Sequence, residues 1–296
     1  MRRITSSLNA INSLIGGYES GLLTAFFGPP MSGKSTLLCQ EAFYFSQFFG
    51  SLFIDTEGGL INLLNAWKNV FEKRFNTQAD IVEIISAAEN EKIRYKFNPE
   101  NFNNTPIFII NLRAVKKLLE FFGVLCDIEV SKTGKYSFRY KGVCSSLCKE
   151  LLENFNVKMI VIDSLTNPIN VFSGGLVNYP ARADAEKLLF KEFQNICDEY
   201  SPYFIITHHM TRDPQNPYSV PDIPGGKVIR HNTKISLYLE IPKSRRYRDY
   251  RRLWLDRYFD KPRLSEKRII VITNRGFFDA DKISDVEDEE ESEIEL

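Results

Sequence analysis

Gly28, Pro29, Pro30, Met31, Ser32, Gly33, Lys34 and Ser35 follow the pattern G-x-x-x-x-G-K-[ST], with Thr36 next in line. The pattern suits nucleotide phosphates. Small residues let successive backbone N–H groups wrap a β-phosphate, and the N-terminus of the following helix adds partial positive charge. Lys34 is suited to neutralise β- and γ-phosphate oxygens, and Ser35 to ligate Mg²⁺. Such a match arises by chance in about 1% of chains of this length. Chemistry on a Mg²⁺-nucleotide also needs a carboxylate at the end of another buried strand. Asp163 closes the apolar run Met159-Ile160-Val161-Ile162, although a strand-end helix cap is its plainer reading. Hydrolysis further needs a group to orient water. Glu57 stands two residues beyond Asp55, the end of another apolar run; its plainer reading is a first-turn carboxylate favoured by the helix dipole.

These residues need strands and helices to position them. Leu22 to Phe27 predicts a strand before the loop, and Gly33 to about Phe48 a helix after it. Ser51 to Asp55 repeats the strand pattern. Gly58 to Phe75 predicts a helix, with Leu60, Leu63, Leu64, Trp67 and Phe71 on one face, and Ile81 to Ile85 a further strand. Later come a helix from Ser145 to Asn154, the strand ending at Asp163, a helix from about Arg182 to Tyr200, and a strand from Tyr203 to Ile206. This alternation predicts an α/β fold with a mainly parallel central sheet covered on both faces. From Lys234 the apolar residues alternate instead (Ile235, Leu237, Leu239, Ile241), which predicts antiparallel strands at one sheet edge. Residues 87 to 142 fit the rhythm poorly. They are expected to form an insertion with a helix (Leu112 to Phe122) and a hairpin (Asp127 to Ser131 with Tyr136 to Tyr140).

Length and composition agree with a packed core over residues 1 to 284. The chain has 296 residues, 43% of them apolar, and 38 bases balance 38 acids. That excludes wholesale disorder and collagen-like composition. No stretch approaches 18 consecutive apolar residues, and Met1-Arg2-Arg3 leads into polar Thr5-Ser6-Ser7, so neither a membrane span nor a secretory signal is expected and the cytoplasm is the expected location. The five cysteines are irregularly spaced, as for reduced, buried thiols. The balanced charge hides an asymmetry. Eight acids and no base lie beyond Ser284, leaving the body with 38 bases against 30 acids, so 285–296 is expected to be a disordered acidic tail.

Four segments together carry a resemblance. Leu14-Ile-Gly-Gly-Tyr-Glu-Ser-Gly-Leu-Leu-Thr24 before the loop, Phe53-Ile-Asp-Thr-Glu-Gly58, Val161-Ile-Asp-Ser-Leu-Thr166 and Pro224-Gly-Gly-Lys-Val-Ile-Arg-His231 occur in the order seen in RecA-superfamily ATPases. The chain most resembles archaeal RadA recombinases and their shorter paralogs, over residues 8 to 86 and 143 to 280. The resemblance implies that Glu57 is the catalytic glutamate and Asp163 the second Mg²⁺-associated carboxylate. It implies DNA-binding loops at Asn167 to Pro180 and Met210 to Gly225, with Arg182 just after the first, and a nucleotide-capping segment at Asp256 to Pro262.

Three departures qualify it. Where the family has Thr-Asn-Gln, whose amide senses γ-phosphate, this chain has Thr207-His208-His209, so either histidine is a candidate sensor, more strongly when protonated. The chain starts only a few residues before the core, without the helix-hairpin-helix domain or the linker motif by which subunits dock, so no long filament of this protein alone is expected. The insertion has no family counterpart and is expected to dock a partner.

Lys243 to Arg268 holds eleven bases against four acids, with Tyr247, Tyr250, Trp254, Tyr258 and Phe259 interleaved. Positive charge with stacking rings suits single-stranded DNA, and Arg182, Arg212, Lys227, Arg230, Arg245, Arg246 and Arg248 are the candidate contacts. The alternative is an edge hairpin with solvated arginines and inward rings. The expected function is an ATP- and Mg²⁺-dependent, DNA-modulated ATPase, a RadA paralog that assists the recombinase or other repair proteins. Two rivals stand beside it: a KaiC-like signalling ATPase that reads proteins, and a nucleotide-binding scaffold without turnover.

Overall fold

The computed structural model describes residues 2–89, 92–96, 103–130, 136–172, 179–210, 222–223, 226–259 and 267–280. In chain order the first elements are β1 (Arg3–Ile4), α1 (Asn9–Ile15), β2 (Tyr18–Glu19), β3 (Leu23–Gly28), α2 (Lys34–Phe45), β4 (Gly50–Asp55) and α3 (Leu60–Phe75). Next come β5 (Ala79–Glu89), β6 (Lys92–Lys96), β7 (Thr105–Asn111), α4 (Val115–Phe121), β8 (Val124–Val130), β9 (Tyr136–Val143) and α5 (Leu147–Asn154). The rest are β10 (Val157–Asp163), α6 (Thr166–Phe172), α7 (Tyr179–Tyr200), β11 (Tyr203–His209), α8 (Gly226–Asn232), β12 (Ile235–Glu240), β13 (Tyr250–Tyr258), β14 (Lys267–Thr273) and β15 (Gly276–Asp279).

Among the described residues eleven strands form one sheet in the order β15-β14-β13-β12-β3-β11-β10-β4-β7-β5-β6. From β12 to β5 every pairing is parallel, while β13, β14, β15 and β6 add antiparallel edges. The interior strands are apolar on both faces because helices cover both. Met159 and Val161 join one buried cluster with α1, α2 and α3; Ile160 and Ile162 join the other with α4 to α8. Burying each such side chain contributes on the order of 1.5–3 kcal/mol. Under α4 and α7 the Phe193 ring lies 5.1 Å from that of Phe122 and 5.0 Å from that of Phe204, edge to face in both cases.

The segment 87–142 differs from its expectation. β7 is not outside the core: it pairs in parallel with both β4 and β5, and α4 is buried beneath the sheet. The sequence does not announce this strand, because no helix separates β5 from β7. Their connection runs through the edge strand β6 instead, which breaks the βα rhythm without breaking the sheet. The hairpin is present as β8 and β9, a separate two-stranded sheet, and its turn lies outside the described residues. The tail at 285–296 lies outside them too. All five cysteines are unpaired, and four are buried. Among the described residues no helix is long and apolar enough to cross a membrane.

The two ends of the described chain are fastened to α2. Glu41 is fully buried, and its carboxylate accepts from the hydroxyls of Ser6 (3.0 Å) and Ser7 (2.5 Å) and from the Ser7 N–H. Gln40 beside it bonds the backbone of Phe277 on β15. Burial, opposed by the serine hydrogen bonds, pushes the Glu41 carboxyl up to about 7 from an ordinary 4.5. The folded protein therefore keeps a proton that the unfolded chain releases between those values. That stabilisation is complete below about 4.5 and is lost as pH rises through about 7. Urea unfolding across this window should show wild type losing stability relative to Glu41→Gln as pH rises. A pH-independent difference between the two would contradict the buried acid.

Candidate nucleotide site

The phosphate-loop residues lie at the C-terminal end of β3, where the chain turns into α2. Gly33 adopts φ 95°, and a Cβ there would sit 2.6 Å from the Phe277 ring, so only glycine fits. At Gly28 a Cβ would meet the Leu239 carbonyl at 2.3 Å. The antiparallel strands β12 to β15 thus wall the loop from outside. Pro29 and Pro30 form its crest, and Met31, left-handed at φ 63°, is 91% exposed. Ser32 is fully buried. The Lys34 ammonium donates to Gly28 O (3.1 Å), Pro29 O (3.0 Å) and the Ser32 hydroxyl (3.3 Å), all oxygens of the loop itself. Burial lowers its pKa, opposed by the charges of Asp163 and Glu57.

Asp163 ends β10 beside the loop. Its carboxylate accepts from the Thr207 hydroxyl at 2.5 Å and from Ser35 in the first turn of α2. Burial raises its pKa, and those two hydrogen bonds oppose the rise. Asp163 and Ser35 are adjacent hard-oxygen donors, which fits Mg²⁺, a cation that takes few protein ligands and completes its shell with water and phosphate oxygens. Among the described residues no cluster of three or more His, Cys, Asp or Glu is placed to hold a metal unaided. Thr36 follows in α2.

Glu57 stands on the turn after β4, held from below by a residue whose role the sequence did not reveal. The Asp55 carboxylate accepts from the N–H groups of Glu57 (3.1 Å), Gly58 (2.7 Å) and Leu60 (3.0 Å), capping α3 and fixing the turn at once. The Glu57 carboxylate oxygen Oε1 accepts from the Ser164 hydroxyl (2.6 Å) and lies 2.9 Å from Nε2 of His209. The His209 hydrogen bond, helped by Ser164 and opposed by burial, lowers its carboxyl to about 2. Only the fold could show this contact, since β4 and β11 are not sheet neighbours and 152 residues separate the pair.

The two candidate sensors part company. His209, at the end of β11, reaches the site through Glu57. His208 points to the other side of the strand, is fully buried, and burial followed by the nearby Arg182 charge holds its pKa at about 3. A neutral ring 3.5 Å from the Thr166 hydroxyl does not meet phosphate as a cation, which corrects the expectation for His208.

The candidate DNA contacts scatter. Arg182 turns inward to pair with Glu186 at 2.9 Å, the two side chains being 11% and 2% exposed, so the surface contact expected of it is not what the fold provides. Arg230 is half exposed and pairs with Asp222. Arg246 and Arg248 are exposed on the turn before β13, where Arg245 and Tyr247 form a 3-10 turn. Lys227 lies in α8, and Arg212 falls outside the described residues. Within the basic stretch Arg251, Arg252, Tyr247 and Tyr258 are buried, and Lys267 lies over the Trp254 ring at 5.0 Å. Much of that stretch is therefore packing, as for an edge hairpin with inward rings.

Replacing His209 by Ala removes the largest influence on Glu57, so its carboxyl should titrate closer to the ordinary 4.5. Carbon-detected NMR of labelled glutamate would follow this, and an unmoved titration would show that the pair does not form in solution. No family model matches the chain. Among solved structures it is similar to one titled "Crystal structure of the RadB recombinase", with a TM-score of 0.58 and 18% sequence identity over 93% of this chain and 98% of that one. The likeness is one of fold: an α/β RecA-like core with a mostly parallel central sheet and antiparallel edge strands.

Proposed function

We propose that the protein is a Mg²⁺-dependent ATPase of RecA-superfamily type, a RadA paralog acting on single-stranded DNA in recombination or repair and assisting a recombinase. The observation that carries the ATPase reading is the convergence of Lys34, Ser35, Asp163 and Glu57 at the C-terminal ends of β3, β10 and β4. There Ser35 and Asp163 share a hydrogen bond, and Lys34 feels both carboxylates. The carboxyl ends of parallel strands are where α/β sheets bind ligands.

In this reading the loop N–H groups and Lys34 hold the phosphates, and Ser35 with Asp163 hold the metal ion. A Mg²⁺ ion held there would supply positive charge to offset that of the phosphates. Glu57 orients the attacking water. With its pKa near 2 it is an anion at neutral pH and a weak base, fitted to accept a hydrogen bond rather than to keep a proton. His209, bonded to the same carboxylate, is the group through which an arriving γ-phosphate would be registered. Exposed Arg246 and Arg248 supply the DNA-facing charge, with Arg230, Lys227, Arg245 and Arg212 as further contacts, and the location is the cytoplasm.

A second reading, a nucleotide-dependent protein-interaction switch without DNA, draws on the β8–β9 hairpin, where Tyr140 and Val143 are 60% and 77% exposed. ATP turnover at two salt concentrations, with and without single-stranded DNA, separates the two. The ATPase reading expects turnover to vanish in Lys34→Ala and to fall by about 100-fold or more in Glu57→Gln. Stimulation by DNA that fades with salt supports the DNA reading. Turnover indifferent to DNA favours the switch, and normal turnover in Glu57→Gln removes Glu57 from its role.

A further inference from the structure

Arg251 lies on β13, is 8% exposed, and has no part in the roles assigned above. Among the described residues its guanidinium donates to backbone carbonyls alone. Nε bonds Ser32 O in the candidate phosphate loop at 2.8 Å, while Nη1 bonds Arg248 O (2.8 Å) in the basic turn and Tyr250 O (2.7 Å) at the start of β13. A buried guanidinium normally lies against a carboxylate, because an uncompensated charge is costly to bury. Among the described residues its hydrogen-bond acceptors are all neutral, and Asp249 attracts it only without such a bond. An under-compensated cation thus sits one hydrogen bond from the loop that Lys34 closes.

We propose that Arg251 is a positioning residue of the phosphate loop and that it couples nucleotide binding to the basic turn at 244–250. The inference rests on reading the loop as a nucleotide site. In a trans peptide the carbonyl and the next N–H point in opposite directions. Anchoring Ser32 O on Arg251 therefore directs the Gly33 N–H to the loop's other side, where a phosphate oxygen can accept it. Phe277 blocks any side chain at Gly33, so position 33 itself supplies no group to orient that peptide. The fork's other limb holds the carbonyl of Arg248, in the turn that exposes Arg246 and Arg248, and that of Tyr250, where the turn enters β13. A nucleotide that shifts the Ser32 peptide therefore acts on that turn, and a polyanion on the turn acts back on the nucleotide with equal coupling.

The test uses the full chain, with fluorescent ADP plus Mg²⁺ for affinity, adenosine as the phosphate-free competitor, and trypsin cleavage after Arg246 and Arg248 with and without MgADP. Arg251→Gln should weaken MgADP by about tenfold, the scale of one charge-assisted hydrogen bond, and leave adenosine within about twofold. In wild type MgADP should change the cleavage rate, and in Arg251→Gln it should not. Arg251→Lys keeps the charge but not the fork, so it should recover MgADP affinity without recovering the MgADP effect on cleavage. If the Gln variant fails to fold, the Lys variant's split between affinity and cleavage decides. Equal losses for MgADP and adenosine, or wild-type cleavage blind to MgADP, would overturn the inference alone. A folded wild type that binds no MgADP would overturn the nucleotide reading and the inference with it.

Discussion

The buried Asp163 carboxylate is the constraint on which the rest of the site depends. A carboxylate taken out of water costs several kcal/mol unless its oxygens are hydrogen-bonded. Here the partners come from two other elements, Ser35 at the start of α2 and Thr207 on β11. Those bonds form only if β10 and β11 pair in their observed register and α2 begins immediately after the loop. The fold and the chemistry at Asp163 are therefore satisfied by the same contacts. A change that moved β11 by one residue would expose Thr207 to the wrong face and strand the carboxylate.

Around that point the site is built from strand ends rather than from long loops. Asp55 ends β4 and spends its carboxylate on the turn that carries Glu57. Thr56 and Ser164 tie the same turn to the end of β10, the Thr56 hydroxyl donating to Ser164 O at 2.6 Å. Glu57 is consequently held between Ser164 and His209, with its charge fixed by hydrogen bonds instead of by burial. The two carboxylates differ through their surroundings: one is buried and pushed up, the other half exposed and pushed down.

The antiparallel edge is not peripheral. β12 supplies the carbonyl that closes on Gly28, β15 supplies the ring that closes on Gly33, and β13 supplies the guanidinium that holds Ser32. Strands β12, β13 and β15 thus act as the outer wall of a loop some 200 residues earlier in the chain. This explains why Arg251, Arg252, Tyr247 and Tyr258 are buried in a stretch so rich in bases and rings, while Arg246 and Arg248 are exposed on the turn before β13.

The local elements were legible in the sequence, as was the candidate nucleotide loop. Periodicity marked β3, β4, β10 and β11 and the helices between them, because apolar runs and 3.6-residue stripes are local properties. Spacing marked Lys34 and Ser35, because a phosphate loop is one contiguous segment. Glu57 and Asp163 were legible as strand-end carboxylates, since strand ends are also read locally. The remaining features depend on contacts between distant segments. Tertiary structure placed β7 inside the sheet, since strand order depends on long-range pairing and no crossover helix announced it. It turned His208 into the core and His209 towards Glu57, since a one-residue difference along a strand reverses the face and the partner lies 152 residues away. It also set Arg182 against Glu186 and Arg251 against Ser32, although their charge had suggested a surface. Charge and ring content are compositional, whereas burial is decided by which distant segments close over a side chain.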